Sequence, residues 1–361
     1  MRFKIRMALA LVMALALVMA GASLPALAQV PTEAPPVVAG AKPVKIERIK
    51  VHAPSIAGNL EGEAADREVL VILPPSYGRE PSRRYPVVYA LHGYSIGAEE
   101  WAKEIHVPDT VEGAFANGAR EMIVVLPDSK TVHNGSMYSS SITTGDFETF
   151  VSRDLVGYID RHYRTIARRE SRGLAGHSMG GYGTSRIGMK HAEIFGALYM
   201  MSPCCLSPRD PAQMDPAIFK QLEAIQSPAD SAGLSFPLRA QLATAAAWSP
   251  NPRKPPLYLD MPMKNGVVQP DVVAKWAANA PLAFVDQYIS NLRRYRAIAI
   301  DVGDKDGLKA DAQTLHDVLD RYGIINSFEI YEGDHTNKVA WRFQEKLIPF
   351  FSTNLDFKVR P

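Results

Sequence analysis

The chain has 361 residues, of which 47% are hydrophobic and 9% aromatic, so it can bury a large core and lacks the composition of a disordered protein. Forty Lys and Arg residues against 38 Asp and Glu residues leave a net charge of +2, and no basic run is interleaved with aromatic residues, which argues against a nucleic-acid partner. The two cysteines, Cys204 and Cys205, are adjacent. They can close only a strained eight-membered ring, and two thiols supply neither a disulfide framework nor a closed zinc site.

The N-terminus has the three parts of a secretory signal peptide. Basic residues near the start precede an apolar run over residues 7–20, and the small-residue pattern Ala26-Leu27-Ala28 follows. The apolar run is shorter than the roughly 20 residues that cross a bilayer, so we expect cleavage after Ala28 rather than a stable membrane anchor. The mature chain is then exported, to the periplasm or the extracellular space. Residues 29–44 are rich in Pro and Ala and predict a flexible lead-in.

We predict one domain over residues 45–361, in which buried strands alternate with amphipathic helices. Two runs, "KIERIKVHA" and "REVLVILPP", come first with no helix between them, which predicts an antiparallel edge. Six further short runs have the pattern of buried parallel strands: "YPVVYALHG", "EMIVVLPDS", "SRGLAGHS", "GALYMMSP", "AIAIDVGDKD" and "NSFEIYEGDH". Helical patterns lie between these runs, over residues 109–118, 146–163, 180–192, 309–323 and 336–352. The alternation predicts an α/β fold with a doubly wound, mostly parallel sheet and a functional site at the carboxyl ends of its strands.

Residues 203–281 interrupt this alternation and hold 13 of the 27 prolines. A loop of this length inside a compact domain is usually functional. The alternative is a disordered surface excursion, but Trp248, Tyr258 and Trp276 give the stretch apolar side chains to bury. We therefore expect an ordered, lid-like insertion in the domain.

The stretch "AGHSMGGYG", residues 175–183, contains Gly-x-Ser-x-Gly between a predicted strand and a predicted helix. Such a strand-to-helix turn raises the Ser178 hydroxyl above the sheet edge, and a Cβ at Gly176 or Gly180 would collide with the neighbouring element. The helix that starts after Met179 directs its N–H groups and its dipole toward a developing oxyanion. An ordinary tight turn is the alternative, and the strand–helix context favours Ser178 as a nucleophile.

A serine nucleophile needs a base that is itself oriented, and in this type of fold the acid and then the histidine follow the serine along the chain. His335, in "IYEGDHT", follows the last predicted strand, so we predict that it is the base. We expect His177 to point away from the serine and pack, and His92 to brace its loop by hydrogen bonds. The other six histidines lie in predicted helices or precede the serine: His162, His191, His316, His52, His106 and His133.

Three aspartates compete for the role of the acid in "AIAIDVGDKDGL". We expect Asp301, at the end of a strand, to bind backbone or cap the turn. Asp304 and Asp306 are two residues apart, so their side chains point differently. Gly303 gives the chain a turn before Asp306, and Gly307 leaves room for the histidine. We therefore favour Asp306, with Asp304 as the alternative acid or else a solvated turn residue.

An oxyanion hole needs two backbone N–H donors. The N–H of Met179, directly after the nucleophile, is the first. The loop "LHGYSIGAEEW" follows another central strand, and its His92-Gly93 turn directs the N–H of Tyr94 inward as the second.

Four segments resemble the esterase D-like family of the α/β-hydrolase fold: "YPVVYALHGYSIGAEEW", "GDFETFVSRDLVGYIDRHYRT", "GLAGHSMGGYGTSRIGMKHAEIFGALYMMSP" and "VGDKDGLKADAQTLHDVLDRYGI…EGDHT". This family includes S-formylglutathione hydrolases, feruloyl esterases, enterochelin esterases and mycolyltransferases. The resemblance covers residues 65–202 and 290–350 and implies a serine ester hydrolase. It implies the following site residues: Ser178 and His335 as partners, Tyr94 and Met179 as oxyanion donors, and an acid in a Gly-x-x-Asp pattern that here is Gly303-Asp304-Lys305-Asp306.

Together these patterns predict an exported serine carboxylesterase that needs no cofactor and no metal and acts on a small-molecule ester with an apolar or aryl acyl group. An acyltransferase with the same triad is the alternative activity, and a non-catalytic binding module of the same fold is the alternative without chemistry. The insertion at 203–281 is longer than in compact relatives, and the signal peptide argues against a cytosolic S-formylglutathione role. The sequence carries no sign of an oligomeric state.

Overall fold

The computed structural model describes residues 32–359, so the predicted signal peptide and the start of the predicted lead-in lie outside the described residues. Within this range the chain forms twelve β-strands: β1 (Lys45–His52), β2 (Asp66–Leu73), β3 (Val87–Leu91), β4 (Ile123–Pro127), β5 (Ser140–Ser141), β6 (Gly145–Asp146), β7 (Arg172–His177), β8 (Ala197–Met201), β9 (Met263–Lys264), β10 (Val267–Val268), β11 (Ala297–Gly303) and β12 (Ser327–Tyr331).

Eight of these strands form one sheet in the order β1-β2-β4-β3-β7-β8-β11-β12. The pairs from β4 to β12 are parallel, whereas β2 is antiparallel to both β1 and β4. This arrangement confirms the predicted mostly parallel sheet with an antiparallel N-terminal edge. Leu91 pairs with Gly176 and Gly176 with Met200, so the central strands end level with one another and their following loops meet at one edge.

Thirteen α-helices lie within the described residues: α1 (Ala98–Glu104), α2 (Asp109–Ala116), α3 (Phe147–Thr149), α4 (Val156–His162), α5 (Met179–Lys190), α6 (Pro216–Leu222), α7 (Phe236–Trp248), α8 (Pro270–Ala278), α9 (Pro281–Phe284), α10 (Ile289–Leu292), α11 (Lys309–Arg321), α12 (Val339–Arg342) and α13 (Ile348–Asn354). A π-helical segment joins α3 to α4 and another joins α12 to α13. The five helical patterns read from the sequence all correspond to helices. No helix in this part of the chain has the length and apolar character needed to cross a bilayer.

The core lies on both faces of the sheet because the central strands are buried along their whole length. The segment from α3 to α4 buries one helical face, with Phe147, Phe150, Val151 and Leu155 inaccessible to solvent, as its spacing predicts. The Pro-rich stretch 203–281 contains α6, α7, α8 and the short β9–β10 hairpin. Its side chains include two buried, edge-to-face tryptophans whose ring centroids are 6.1 Å apart, Trp248 and Trp276.

A buried ion pair fixes helix α5 to the segment that precedes it in the chain. Arg186 Nε donates to Glu148 Oε2 at 2.7 Å, and Lys190 Nζ lies 3.1 Å from the same oxygen. Burial alone would raise the pKa of Glu148. The hydrogen bond from His191 and the charges of Arg186 and Lys190 outweigh burial and lower this pKa to about 2. Glu148, in the segment "GDFETF", therefore anchors the helix that follows the serine turn.

We expect Glu148→Gln to lower the free energy of unfolding by about 3–5 kcal/mol at pH 7, because it leaves buried cations without their charge partner. The depressed pKa of Glu148 contributes stability above its ordinary value of 4.5, and this stability is lost as the pH falls toward 2. The difference between wild type and variant should therefore shrink over that window. Urea unfolding followed by circular dichroism at a series of pH values measures it.

The matched control is Glu193→Gln, since the Glu193 side chain is 54% exposed and lies 3.4 Å from Nδ1 of His191. This exposed change should cost less than about 1 kcal/mol. Equal destabilisation by both substitutions would contradict the anchoring role of Glu148.

Candidate active site

The serine turn is a strained connection between β7 and α5. Ser178 has φ 56° and ψ −114°, in the left-handed region that residues with a side chain rarely adopt. A Cβ on Gly176 would lie 2.8 Å from the Cα of Gly180, and a Cβ on Gly180 would lie 2.9 Å from the carbonyl oxygen of His92. Both contacts are with backbone and cannot relax. The glycines at these two positions are therefore required for the close approach of strand, turn and helix, as the sequence predicts.

The structure brings Ser178, His335 and Asp306 together in one chain of hydrogen bonds. The Ser178 Oγ lies 2.9 Å from Nε2 of His335, and Nδ1 of His335 lies 2.8 Å from Oδ2 of Asp306. The Asp306 side chain is 2% exposed, whereas that of His335 is 36% exposed. The carboxylate is thus shielded from water, and the imidazole extends from it toward the serine.

Asp306 is held ionised by its partners. Burial would raise its pKa, but the hydrogen bonds from the His335 ring and from the N–H of Leu308 lower it below its ordinary value. The Leu308 N–H donates to Oδ1 at 2.9 Å, which leaves Oδ2 for the histidine. A carboxylate that is ionised and accepts two hydrogen bonds fixes the imidazole ring of His335. Its Nδ1 then carries the proton, and its Nε2 is free to accept one.

Two further side chains and one glycine position the loop that carries His335. Asp304 accepts the N–H of Gly333 at 2.9 Å, so it orients this loop rather than standing solvated in its turn. A Cβ on Gly303 would lie 2.7 Å from the carbonyl oxygen of Asp334, so only glycine lets the two loops pass. His177 is buried and its Nε2 lies 2.8 Å from the carbonyl oxygen of His335. Burial lowers the pKa of His177 most, the charge of the neighbouring His335 adds to this effect, and the pKa falls to about 3.

The structure corrects three expectations. His177 packs but does not point away, since its ring centroid lies 4.8 Å from that of His335. Asp301 neither binds backbone nor caps the turn through its carboxylate: it pairs with the buried Arg342, whose Nε donates to Oδ2 at 2.8 Å. A Cβ on Gly307 would meet no atom within 4 Å, so this glycine is not needed to make room for the histidine.

The loop after β3 packs against the serine turn. His92 braces it as predicted, because Ser129 N–H donates to Nε2 at 2.8 Å and Nδ1 lies 2.8 Å from the carbonyl oxygen of Gly93. A Cβ on Gly93 would lie 3.6 Å from the Cβ of Ser178. Tyr94, which follows, donates its hydroxyl to the carbonyl oxygen of His133 at 2.7 Å. The backbone of residues 92–94 is therefore fixed directly beside the serine.

One buried acid near the site carries no signal in the sequence. Glu104, the last residue of α1, is 6% exposed, and burial raises its pKa to about 7 while the charge of His335 opposes the shift. Its burial depends on the packing of α1, a helix of seven residues that is not among the predicted elements. The charge of Glu104 therefore changes near neutral pH, and Glu104 is close enough to His335 for the two charges to interact.

A cavity of about 340 Å³ opens above Ser178, a size that fits a small organic ligand. Its lining combines the five predicted site residues with apolar and sulfur-containing side chains from the loops and from α7: Tyr94, Met137, Ser178, Met179, Cys204, Cys205, Arg209, Phe236, Ala240, Thr244, Asp306, Leu308 and His335. The strand-end loops thus supply the candidate site residues, and α7 supplies part of the opposite wall. Within residues 32–359 no cluster of three or more His, Cys, Asp or Glu side chains is arranged to hold a metal ion.

Comparison with known proteins assigns the chain to a family. A model of the esterase family, described as "Putative esterase", matches residues 64–351. An endo-1,4-beta-xylanase/feruloyl esterase of Xylanibacter ruminicola is 30% identical over 138 residues, which are 37% of this chain and 19% of that protein. An esterase of Mycobacterium tuberculosis is 32% identical over 132 residues, 36% of this chain and 27% of that protein. The chain therefore matches well under a third of the length of either relative.

Solved structures agree on the architecture. A ferulic acid esterase superposes with a TM-score of 0.61 at 23% identity, over 86% of this chain and 98% of that one. An S-formylglutathione hydrolase of Staphylococcus aureus superposes with a TM-score of 0.55 at 14% identity, over 87% and 100%. With the strand order and the serine turn after β7, these likenesses define a protein of the α/β-hydrolase fold. The match over residues 64–351 places it more narrowly: the chain belongs to the "Putative esterase" family.

We expect Gly303→Ala to lower turnover of an ester substrate by roughly 10²-fold, because its methyl group pushes the loop of His335 away from Ser178 and such displacements weaken catalysis strongly. The free energy of unfolding should fall by about 1–3 kcal/mol. Gly307→Ala is the matched control, since its methyl group enters open space. Both are measured by steady-state kinetics and urea unfolding, and a Gly307→Ala variant as impaired as Gly303→Ala would contradict this reading.

Proposed function

We propose that this protein is an exported serine carboxylic-ester hydrolase that forms an acyl-enzyme on Ser178. The observation that carries the proposal is the continuous hydrogen-bond chain from Ser178 through His335 to the buried Asp306, open to a cavity of about 340 Å³. Membership of an esterase family and the names of its relatives, a feruloyl esterase among them, support the same reaction class. The apolar run and cleavage pattern over residues 1–28 support export.

In the first half-reaction the Ser178 Oγ attacks the ester carbonyl carbon while Nε2 of His335 takes the hydroxyl proton. Asp306 stabilises the imidazolium that forms. The negative charge that develops on the carbonyl oxygen is received by the N–H groups of Met179 and Tyr94, aided by the N-terminal dipole of α5. His335 then returns the proton to the leaving alkoxide, so that an alcohol departs and the acyl group remains on the serine.

In the second half-reaction water takes the place of the alcohol. Nε2 of His335 removes a proton from this water, and the resulting hydroxide adds to the acyl carbon with the oxyanion in the same pair of N–H groups. Collapse of the intermediate breaks the bond to Ser178 Oγ, which recovers its proton from His335. The products are a carboxylic acid and the restored enzyme, and the chemistry is supplied by protein groups throughout.

The cavity lining favours an apolar or aryl acyl group. Met137, Phe236 and Leu308 present apolar surface, and the Phe236 ring packs edge-to-face on Tyr94 with centroids 5.2 Å apart. A flat or unbranched acyl chain fits between such side chains without leaving a polar group unpaired. Helix α7 belongs to the stretch 203–281, so we propose that this insertion covers the mouth of the site and determines acyl choice.

The first test is covalent labelling. The purified mature protein should hydrolyse short p-nitrophenyl esters, and a fluorophosphonate should add once per chain, since such probes react with an activated serine. Peptide mass spectrometry locates the adduct, and Ser178→Ala is the control that should neither react nor turn over. An adduct on another residue, or none on folded protein, would sink the proposal. Added acceptor alcohols report transfer, and their esters as the main product would indicate the acyltransferase instead.

A second test separates the two neighbouring aspartates. Asp306→Asn should lower kcat by roughly 10³–10⁴-fold with little change in KM, because it removes the charge that stabilises the imidazolium in the transition state. Asp304→Asn should cost less than about tenfold, since its amide oxygen can still accept the Gly333 N–H. Steady-state kinetics with p-nitrophenyl acetate measures both. If Asp304→Asn is the crippled variant and Asp306→Asn stays active, the acid is Asp304.

A third test addresses acyl choice. Phe236→Ala should lower kcat/KM for p-nitrophenyl hexanoate or a feruloyl ester by about 10-fold more than for the acetate, because only a longer acyl group reaches the lost ring. Val267→Ala, an exposed residue of the same insertion that does not line the cavity, is the control. An unchanged acyl-length profile in folded Phe236→Ala would remove α7 from substrate selection.

A further inference from the structure

Two adjacent thiols lie in the wall of the reaction cavity and have no part in the proposed mechanism. Cys204 and Cys205 follow β8, both line the cavity above Ser178, and both are free thiols in the structure. The N–H of Cys204 donates to the carbonyl oxygen of Ser178 at 3.1 Å. The pair is therefore joined by its backbone to the strained residue that bears the nucleophile.

The backbone brings the two sulfur atoms together. Neighbouring side chains on an extended chain point in opposite directions. Cys205 instead has φ 61°, in the left-handed region, and its Sγ lies 2.6 Å from the Sγ of Cys204. A left-handed residue with a Cβ is held only where its surroundings demand it, and such residues concentrate at functional sites.

The same pair stands between two cavities. A second cavity of about 540 Å³ shares Cys204, Cys205, Arg209 and Leu308 with the cavity above Ser178. A chemical change at the two sulfur atoms therefore alters the walls of both cavities. It also acts next to Ser178, since the backbone of Cys204 is hydrogen-bonded to the Ser178 carbonyl oxygen.

The electrostatics separate the two thiols. The hydrogen bond from Cys204, and then the charge of Arg209, lower the pKa of Cys205 despite its burial. The same hydrogen bond, followed by burial, raises the pKa of Cys204. Cys205 is thus the residue that ionises first, and a thiolate is the species that attacks disulfides.

We propose that Cys204 and Cys205 form a redox modification site, at which a reversible disulfide between the two neighbours reshapes the cavity wall beside Ser178. The co-reactant is a low-molecular-weight disulfide such as oxidised glutathione. The Cys205 thiolate attacks one of its sulfurs and expels a thiolate. Cys204, on losing its proton, then attacks Cys205 Sγ and expels the second thiolate. Two protein thiols are oxidised, one disulfide is reduced, and the two protons end on the released thiols.

A disulfide between Cys204 and Cys205 closes a strained eight-membered ring, and this strain makes the bond reversible rather than a fixed crosslink. Adjacent Cα atoms are about 3.8 Å apart across a trans peptide, whereas the Cα atoms of ordinary disulfides are about 4.4–6.8 Å apart. Strained disulfides are more easily reduced, and the labile ones are those that regulate. The formation of the bond is independent of the proposed function; only its effect on substrate choice rests on that function.

The test for the bond uses intact mass. The full mature chain, first reduced with dithiothreitol, should take up two alkyl groups from N-ethylmaleimide, because it has two cysteines. After treatment with oxidised glutathione it should take up none and should be two hydrogen atoms lighter than the unalkylated reduced chain. Two alkyl groups after oxidation, a stable glutathione adduct, or a crosslinked dimer would each overturn the proposal.

The test for the effect compares substrates of different length. Oxidation should change the ratio of kcat/KM for p-nitrophenyl hexanoate to that for the acetate by roughly 3–10-fold, since changes of about one methylene in a pocket have effects of this order or more. In Cys205→Ser and Cys204→Ser, which cannot close the ring, the same treatment should leave each variant's own ratio unaltered. An unaltered ratio in oxidised wild type overturns the coupling to the cavity.

Fluorophosphonate labelling of Ser178 runs alongside in both redox states. Equal labelling with an altered ratio supports a change of the cavity wall. Complete absence of labelling in both states, with the disulfide formed, contradicts the esterase proposal and leaves the modification site standing, so the two failures are distinguishable.

Discussion

The backbone of Ser178 is the constraint on which the rest of the site depends. At φ 56° this residue cannot hold its conformation alone, and its neighbours supply the restraint through hydrogen bonds to both sides of the residue. Its N–H donates to Met201 O at 3.0 Å, and its carbonyl oxygen accepts the N–H groups of Tyr182 and Cys204. The turn is therefore defined by β8 and α5 together. The position of the Ser178 hydroxyl is thus fixed in advance, and for the proposed reaction this would keep the entropic cost low.

The parallel sheet determines which other groups can join this serine. The strands end at one edge, so the loops after β3, β7, β8, β11 and β12 meet there, and residues from distant parts of the chain come within hydrogen-bond distance. Asp304 joins the two loops that carry Asp306 and His335 by its hydrogen bond to the Gly333 N–H. These loops can approach so closely because Gly303 has no side chain. His177 contacts the loop that carries His335, since its Nε2 lies within hydrogen-bond distance of the His335 carbonyl oxygen. The loops of Asp306 and His335 are thus held by residues outside the hydrogen-bond chain that joins these two side chains to Ser178.

Much of this arrangement can be predicted from the sequence because it depends on local patterns. Buried parallel strands require continuous apolar runs, and the close approach at Gly176 and Gly180 leaves a glycine signature around Ser178. What depends on distant packing is not legible. The burial of Glu104 follows from how α1 packs in the folded chain, and the partner of Asp301 lies 41 residues further along the chain. Spacing alone also misjudged one glycine, since no atom approaches the Cβ position of Gly307.

The end of the long insertion is bonded to helix α5, which follows Ser178. Tyr182 donates its hydroxyl to the carbonyl oxygen of Asn279 at 2.9 Å, and Arg186 donates to the Asn279 side-chain oxygen at 2.8 Å. A chimaera that exchanges the segment between β8 and α9 for that of a relative would remove the Asn279 side chain and so break the bond from Arg186, unless the incoming segment had an equivalent asparagine. An exchanged segment that ends before Asn279 therefore keeps this contact, whereas a boundary beyond Asn279 would disturb helix α5.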